Sequence, residues 1–288
     1  MRTEGGRESK NVEDRRGMGV GRGRGMRFGI VGTLIALAAA WFLGIDPRVV
    51  LGVVQVAEQL PMGQAVPEAG RTGPVTDAGG RFMSVVLADT EDTWGEIFRN
   101  GGAQYTPPTL VLFESQVRSE CGVADSGAGP FYCPADQKIY IDLAFYRELE
   151  TRFQAPGDFA QAYVLAHEVG HHVQTLLGTS ARVREAQARS GEAERNLLQV
   201  MMELQADCYA GLWAHHANRS RQILESGDVE EALGAAAAVG DDTIQRHVQG
   251  RVVPESFTHG TAQQRMAWFR RGLDSGQLQA CDTFNSAR

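Results

Sequence analysis

Residues 156–178 read PGDFAQAYVLAHEVGHHVQTLLG, and this stretch decides the fold class. Pro156-Gly157 breaks the incoming chain, Asp158 offers a cap with Gln161 three residues on, and Gly178 offers a stop. The spacing therefore predicts one helix from Phe159 to Leu177. Within it stands His167-Glu168-Val169-Gly170-His171, an HExxH pattern. Residues four apart share a helix face, so both imidazoles can reach one metal ion while Glu168, one step round, addresses a water on that ion. Neutral imidazoles hold Zn²⁺ without neutralising it, and the ion brings the pKa of its water near neutrality. Glu168 is then the expected acceptor of that proton and its donor to a leaving amine. The motif is short enough to arise by chance, so its place in a capped helix after a strand matters.

A catalytic zinc expects three protein ligands. The HExxHxxGxxH solution fails here, because Gln174 and Leu177 occupy the positions of its glycine and third histidine. The next long helix, roughly Glu192 to Ala217, carries Glu203-Leu-Gln-Ala-Asp207. Leu197, Met201, Leu204 and Cys208 share one face, while Glu203 and Asp207 stand together on another in a segment otherwise apolar enough to be buried. A buried carboxylate needs a partner, and a zinc ion or a histidine N–H is a suitable one. Glu203 is therefore the expected third ligand and Asp207 the group that orients a ligand histidine, His167; the bland alternative is an exposed acidic stripe. His259 and Arg265, before and within a last helix ending near Gly272, could stabilise an oxyanion. They could equally cap that helix and form a structural ion pair.

Working outward, Thr109–Phe113 and Lys138–Asp142 are short β-rich runs and predict strands, and Thr90 with Glu91-Asp92 predicts a helix start running to Phe98. Cys121, Cys133, Cys208 and Cys281 all lie in this part of the chain. Three pairings are possible, and proximity favours Cys121 with Cys133, leaving Cys208 with Cys281. Four free thiols are the alternative. His172, about 100° round the helix from His171, reads as a hydrogen-bonded helix residue, His215, His216 and His247 read as helix-surface residues, and Asp228 with Glu231 reads as a capping box. Tyr163, one turn before His167, either lines the site or packs in the core.

The N-terminal part has a different character. Phe28 to Ile45 is eighteen residues without a charge, about 27 Å of helix, enough to span a bilayer core. Residues 1–27 hold eight Lys/Arg against four Asp/Glu, so with a net charge of −7 the remainder carries −11. That acidic body argues against a nucleic-acid partner. The basic stretch before the apolar one puts the N-terminus in the cytoplasm and the body outside, where an even number of cysteines suits an oxidising compartment. A cleaved signal peptide ending near Ala38-Ala39-Ala40 is the runner-up.

The segments GRESKNVEDRRG (6–17), GPFYCPADQKIYID (129–142), HEVGHHVQ (167–174), ELQADCYAG (203–211), FTHGTAQQR (257–265) and CDTF (281–284) resemble the bacterial putative neutral zinc metallopeptidase family over nearly the whole chain. The ExxxD pair after HExxH, and a His followed six residues later by Arg, also resemble membrane-anchored zinc peptidases related to the CAAX prenyl protease. That resemblance implies transition-state binding by His259 and Arg265. Those relatives carry Pro where this chain has Gly260, and several spans where this chain shows one.

The expectation is an α+β, zincin-like domain at residues 76–288, mostly helical with a small sheet. A basic tail (1–27), a single transmembrane helix (28–45) and a linker (46–75) precede it. One zinc ion, a peptide or protein substrate and peptide-bond hydrolysis are expected. The competing classes are a non-catalytic zinc-binding envelope module, against which Glu168 speaks, and a cell-wall peptide amidase.

Overall fold

In a computed structural model, which describes residues 1–17, 71–72, 75–249 and 251–285, the strands are β1 (Val12–Asp14), β2 (Arg71–Thr72), β3 (Thr109–Phe113), β4 (Gln116–Ser119), β5 (Gly122–Asp125), β6 (Phe131–Cys133) and β7 (Lys138–Asp142). The helices are α1 (Ala78–Asn100), α2 (Ala144–Thr151), α3 (Asp158–Leu176), α4 (Thr179–Gln187), α5 (Glu192–Arg221), α6 (Asp228–Ala238), α7 (Asp241–Gln249) and α8 (Ala262–Ser275). Five strands form one sheet in the order β2-β1-β3-β7-β6, with β1, β3 and β7 parallel and the outer two antiparallel. The hairpin β4-β5 stands apart.

Alternation along β3 and β7 divides the sheet. Leu110, Leu112, Ile139 and Ile141 face the helical core, while Val111, Phe113 and Tyr140 pack with Val117 and Cys133 on the other side. Both faces are covered, so both strands read as near-continuous apolar runs. α3 is buried on most of its faces between Phe159 and Gln174, as expected of a helix with few polar residues besides its first turn and the HExxH region. It packs on α1, α5 and α6.

Close backbone approach fixes the helix crossings. A Cβ added at Gly170 would come within 3.0 Å of the Ala206 backbone, so the fourth residue of the HExxH segment lets α3 seat directly on α5. Between α5 and α8 the contact is tighter still: a Cβ at Gly211 would lie 1.9 Å from the Phe269 carbonyl oxygen, and one at Gly272 would lie 2.0 Å from that of Cys208. Cys208–Cys281 ties α5 to the C-terminal segment, and Cys121–Cys133 ties the β5 side of the small hairpin to β6. Both bridges follow the pairing expected from proximity.

Several expectations are corrected. The flexible tail expected for residues 1–27 is replaced, over residues 1–17, by ordered chain: β1 lies between β2 and β3, Val12 is buried, and Met1–Gly17 belongs to one compact unit with Gly70–Arg288. The basic residues that suggested a tail are partnered, Arg7 with Glu91 and Asp92, Arg16 with Asp14 and Asp77. The first helix starts at Ala78 rather than Thr90, because Asp77 is its cap, accepting from the Gly80 N–H at 2.9 Å. Thr90 sits mid-helix with its hydroxyl on the Leu87 carbonyl. At the start of α3, Gly157 is the cap residue, and the Phe159 N–H donates to Glu231 of α6, a partner 72 residues away. Gly227, not Asp228, precedes α6. The expected span at 28–45 lies outside the described residues; among those described, no helix is long and apolar enough to cross a membrane.

Candidate metal centre

α3 and α5 cross so that His167, His171 and Glu203 meet. His167 Nε2 lies 3.2 Å from Glu203 Oε2, His171 Nε2 lies 3.6 Å from the same oxygen, and the three donor atoms fall within 4.8 Å of one another. Zinc–ligand bonds of about 2.0–2.1 Å in a tetrahedron imply donor separations of roughly 3.3 Å, so this triangle fits one ion with little adjustment. Two nitrogens and one oxygen form a zinc-type donor set that leaves one position of a tetrahedron open. Charge agrees. Glu168, Glu203 and Asp207 are three buried carboxylates facing one buried guanidinium, Arg265, so with neutral imidazoles the formal balance is −2.

Each histidine is held from behind. His167 Nδ1–H donates to Asp207 Oδ1 at 2.8 Å, and His171 Nδ1–H donates to Gln174 Oε1 at 2.9 Å, leaving both Nε2 atoms facing Glu203. Asp207 is itself gripped by Tyr163 Oη at 2.5 Å and by Arg265 through Nε at 2.8 Å and Nη2 at 2.9 Å. Tyr163 is therefore part of the site. Gln174 donates to the Met202 carbonyl and to Gln205, whose amide donates to the Cys281 carbonyl. A chain of hydrogen bonds thus runs from His171 to the C-terminal disulfide. Sequence reasoning missed Gln174; its place three residues after His171, one turn along the same helix, was the available signal.

The ionisation balance suits a cation. Burial opposes charge on Glu203, yet His171 and His167 hold it well below the usual carboxylate range. Burial likewise opposes ionisation of Asp207, but Arg265 and His167 hold its pKa down to about 2. Against burial, the Asp207 and Glu203 carboxylates push His167 up to about 10 and Glu203 raises His171. The pocket thus concentrates negative potential on the two Nε2 atoms, which favours a bound cation. Glu168 differs. Burial pushes it above the carboxylate range, only partly countered by the two histidines.

His167, Glu168, His171 and Glu203 line a cavity of about 720 Å³ whose walls include Phe131, Phe145, Val164, Met202, Val239 and His259. His259 stands on the loop before α8, and Asp241 builds that loop. Asp241 Oδ2 accepts the N–H groups of Thr258, His259 and Gly260 at 2.7, 2.6 and 3.1 Å, and Oδ1 lies 3.1 Å from His259 Nδ1. Nothing in the local sequence connects residues 241 and 259. Gly260 has φ +87°, which proline cannot adopt, so a proline is excluded at this position of the loop. Arg265 is 3% exposed with its guanidinium committed to Asp207. His172 is buried away from the donors, on Tyr132 Oη and the Thr106 carbonyl.

The sequence profile of the family described as "Putative neutral zinc metallopeptidase" matches residues 1–284. The chain is 48% identical to the Escherichia coli K12 protein YpfJ over 298 aligned positions that span all of both chains. It is 41% identical to the Mycobacterium tuberculosis protein Rv2575 over 261 positions, 86% of each. No solved structure matches it. With a match over nearly its whole length and a His/His/Glu donor set at the crossing of two buried helices, the chain belongs to the putative neutral zinc metallopeptidase family.

Proposed function

We propose that this domain hydrolyses peptide bonds, with His167, His171 and Glu203 as ligands of one zinc ion and Glu168 as general base and acid. The observation that carries this reading is Glu168: a buried carboxylate raised in pKa, beside three metal donors, lining a cavity. A structural zinc site needs no such residue. Zinc held there supplies Lewis-acid polarisation of a carbonyl and acidification of a water. Glu168 accepts the proton of the attacking water and delivers it to the amide nitrogen that leaves. His259, which lines the same cavity, donates to the oxyanion of the tetrahedral intermediate. Asp207 keeps the His167 Nδ1–H in place, and Arg265 acts through Asp207 rather than on the substrate.

The substrate is a peptide or protein strand fitting a cavity of about 720 Å³ with aromatic and aliphatic walls. Both disulfides and the apolar stretch at 28–45 support action at the outer face of the cytoplasmic membrane. The test is metal content and cleavage of casein and of peptidoglycan peptides by wild type, Glu168→Gln and Glu203→Ala. One zinc per chain in wild type and in Glu168→Gln, with cleavage lost in the latter by at least about 10²-fold, supports the proposal. Zinc without any turnover in wild type would leave a metal-binding module, and turnover on peptidoglycan peptides alone would make the enzyme a cell-wall amidase.

A further inference from the structure

β1 enters the sheet between β2 and β3, in parallel register with β3: Val12 opposite Leu110, Glu13 opposite Val111, Asp14 opposite Leu112. The whole stretch before residue 17 is attached to the body. The Arg2 N–H donates to the Ile223 carbonyl, the Ser9 N–H to Ser84, and the Arg15 N–H to Leu112, while the Leu110 N–H donates to Asn11. Glu91, 9% exposed within α1, accepts from Ser9 Oγ at 2.5 Å, Asn11 Nδ2 at 2.8 Å and Arg7 Nη2 at 2.9 Å. Lys138 of β7 reaches Glu13 at 2.8 Å. On the far side of residues 18–69, β2 returns antiparallel to β1 with Arg71 opposite Asp14. Those two residues are therefore neighbours across a strand pair, roughly 5 Å apart.

We infer that residues 1–17 and the body occupy the same side of any membrane the chain meets. The number of complete bilayer crossings is then even, and a single span that leaves residues 1–17 behind is incompatible with the sheet. Charge points the same way. Arg7, Arg15 and Arg16, counted in the sequence as cytoplasmic retention signals, are in ion pairs of the fold. Only Arg22, Arg24 and Arg27 remain between the folded unit and the apolar stretch. This inference does not depend on the peptidase reading, since it uses the sheet alone.

The test uses the full chain in bacterial spheroplasts and inverted membrane vesicles, with Lys10→Cys and Glu194→Cys introduced singly and probed with an impermeant maleimide. Both positions are exposed, and the native cysteines are disulfide-bonded and silent. Equal labelling of both from one face, with neither labelled from the other, is expected. Labelling of Lys10→Cys and Glu194→Cys from opposite faces would overturn the inference. A second measurement is independent of labelling. Val12→Asp, at a position 2% exposed, lowers the thermal midpoint of the full chain by more than about 5 °C if β1 is in the sheet. An unchanged midpoint would return residues 1–17 to the status of a free tail. Replacing residues 18–69 by a short hairpin turn keeps the fold and the zinc, because the flanking strands already pair; loss of both would also count against the inference.

Discussion

His167, His171 and Glu203 project from two buried helices, and the groups behind them are buried as well, down to Asp207 at 0% exposure. His259, which lines the same cavity, stands on a loop with its side chain 50% exposed, and that loop is held by one carboxylate, Asp241. The metal site is determined by backbone contact at Gly170 and by hydrogen bonds that leave few alternatives. The His259 wall is built largely on one side chain, Asp241, through three backbone hydrogen bonds and an ion pair. The proposed peptidase would gain from both: ligand geometry tolerates little error, whereas a group that meets a substrate benefits from adjustment. The contrast is open to measurement.

The largest effect belongs to the metal site. Glu203→Ala removes one of three donors and lowers zinc affinity by more than the roughly 100-fold that loss of an outer hydrogen-bond partner costs, measured by metal content after dialysis against a weak chelator. Asp207→Ala leaves the Arg265 guanidinium buried without a carboxylate and lowers stability by about 3–5 kcal/mol, read in guanidinium unfolding. If Asp207 were as adjustable as the His259 wall, that loss would fall below about 1 kcal/mol.

His259→Ala spares zinc content and stability and lowers kcat by about 10²–10³-fold, the cost of one oxyanion donor. Gln174→Ala weakens zinc binding by about 10–100-fold with little change in unfolding, because it releases the His171 ring while Gln205 keeps its hydrogen bond to the Cys281 carbonyl.

The smallest effect concerns Asp241→Asn, which keeps the acceptor for three backbone N–H groups and removes the charge. Asp241 is held below the ordinary carboxylate pKa by His259 despite burial, and His259 is held above the ordinary imidazole pKa by Asp241. Asp241's share of the stability is present above its unfolded pKa and fades as pH falls through its depressed folded value. The His259 share is complete below its unfolded pKa of about 6.5 and fades as pH rises through its elevated folded value. Wild type therefore exceeds the variant between about pH 4 and 6.5, by less than about 1 kcal/mol given the exposure of His259, and the two converge at higher pH. A pH series of thermal midpoints measures it.

What could be read beforehand follows the range of the interactions. His167 and His171 are one helical turn apart, and so are Glu203 and Asp207, so helix periodicity alone places each pair on a face. The contact between the two pairs needed only the argument that buried carboxylates seek partners. Asp241 and His259 are eighteen residues apart with no periodic relation, and the loop that joins them is built by hydrogen bonds that have no sequence signature. β1 was illegible for another reason. Its three residues, Val12-Glu13-Asp14, carry one apolar side chain among charges, and strand pairing with β3, about 100 residues away, is what makes them a strand. A fragment beginning at residue 76, the boundary suggested by composition, would lack β1 and β2 together.

The position of β1 also has a consequence in time. It leaves the ribosome first, but its partner β3 ends at Phe113, so at synthesis rates of 5–20 residues per second the strand waits roughly 5–20 s for a neighbour. During that interval everything between them, including the apolar stretch at 28–45, has already been made. That stretch is thus synthesised before the sheet can close, and closure needs both flanks in one compartment.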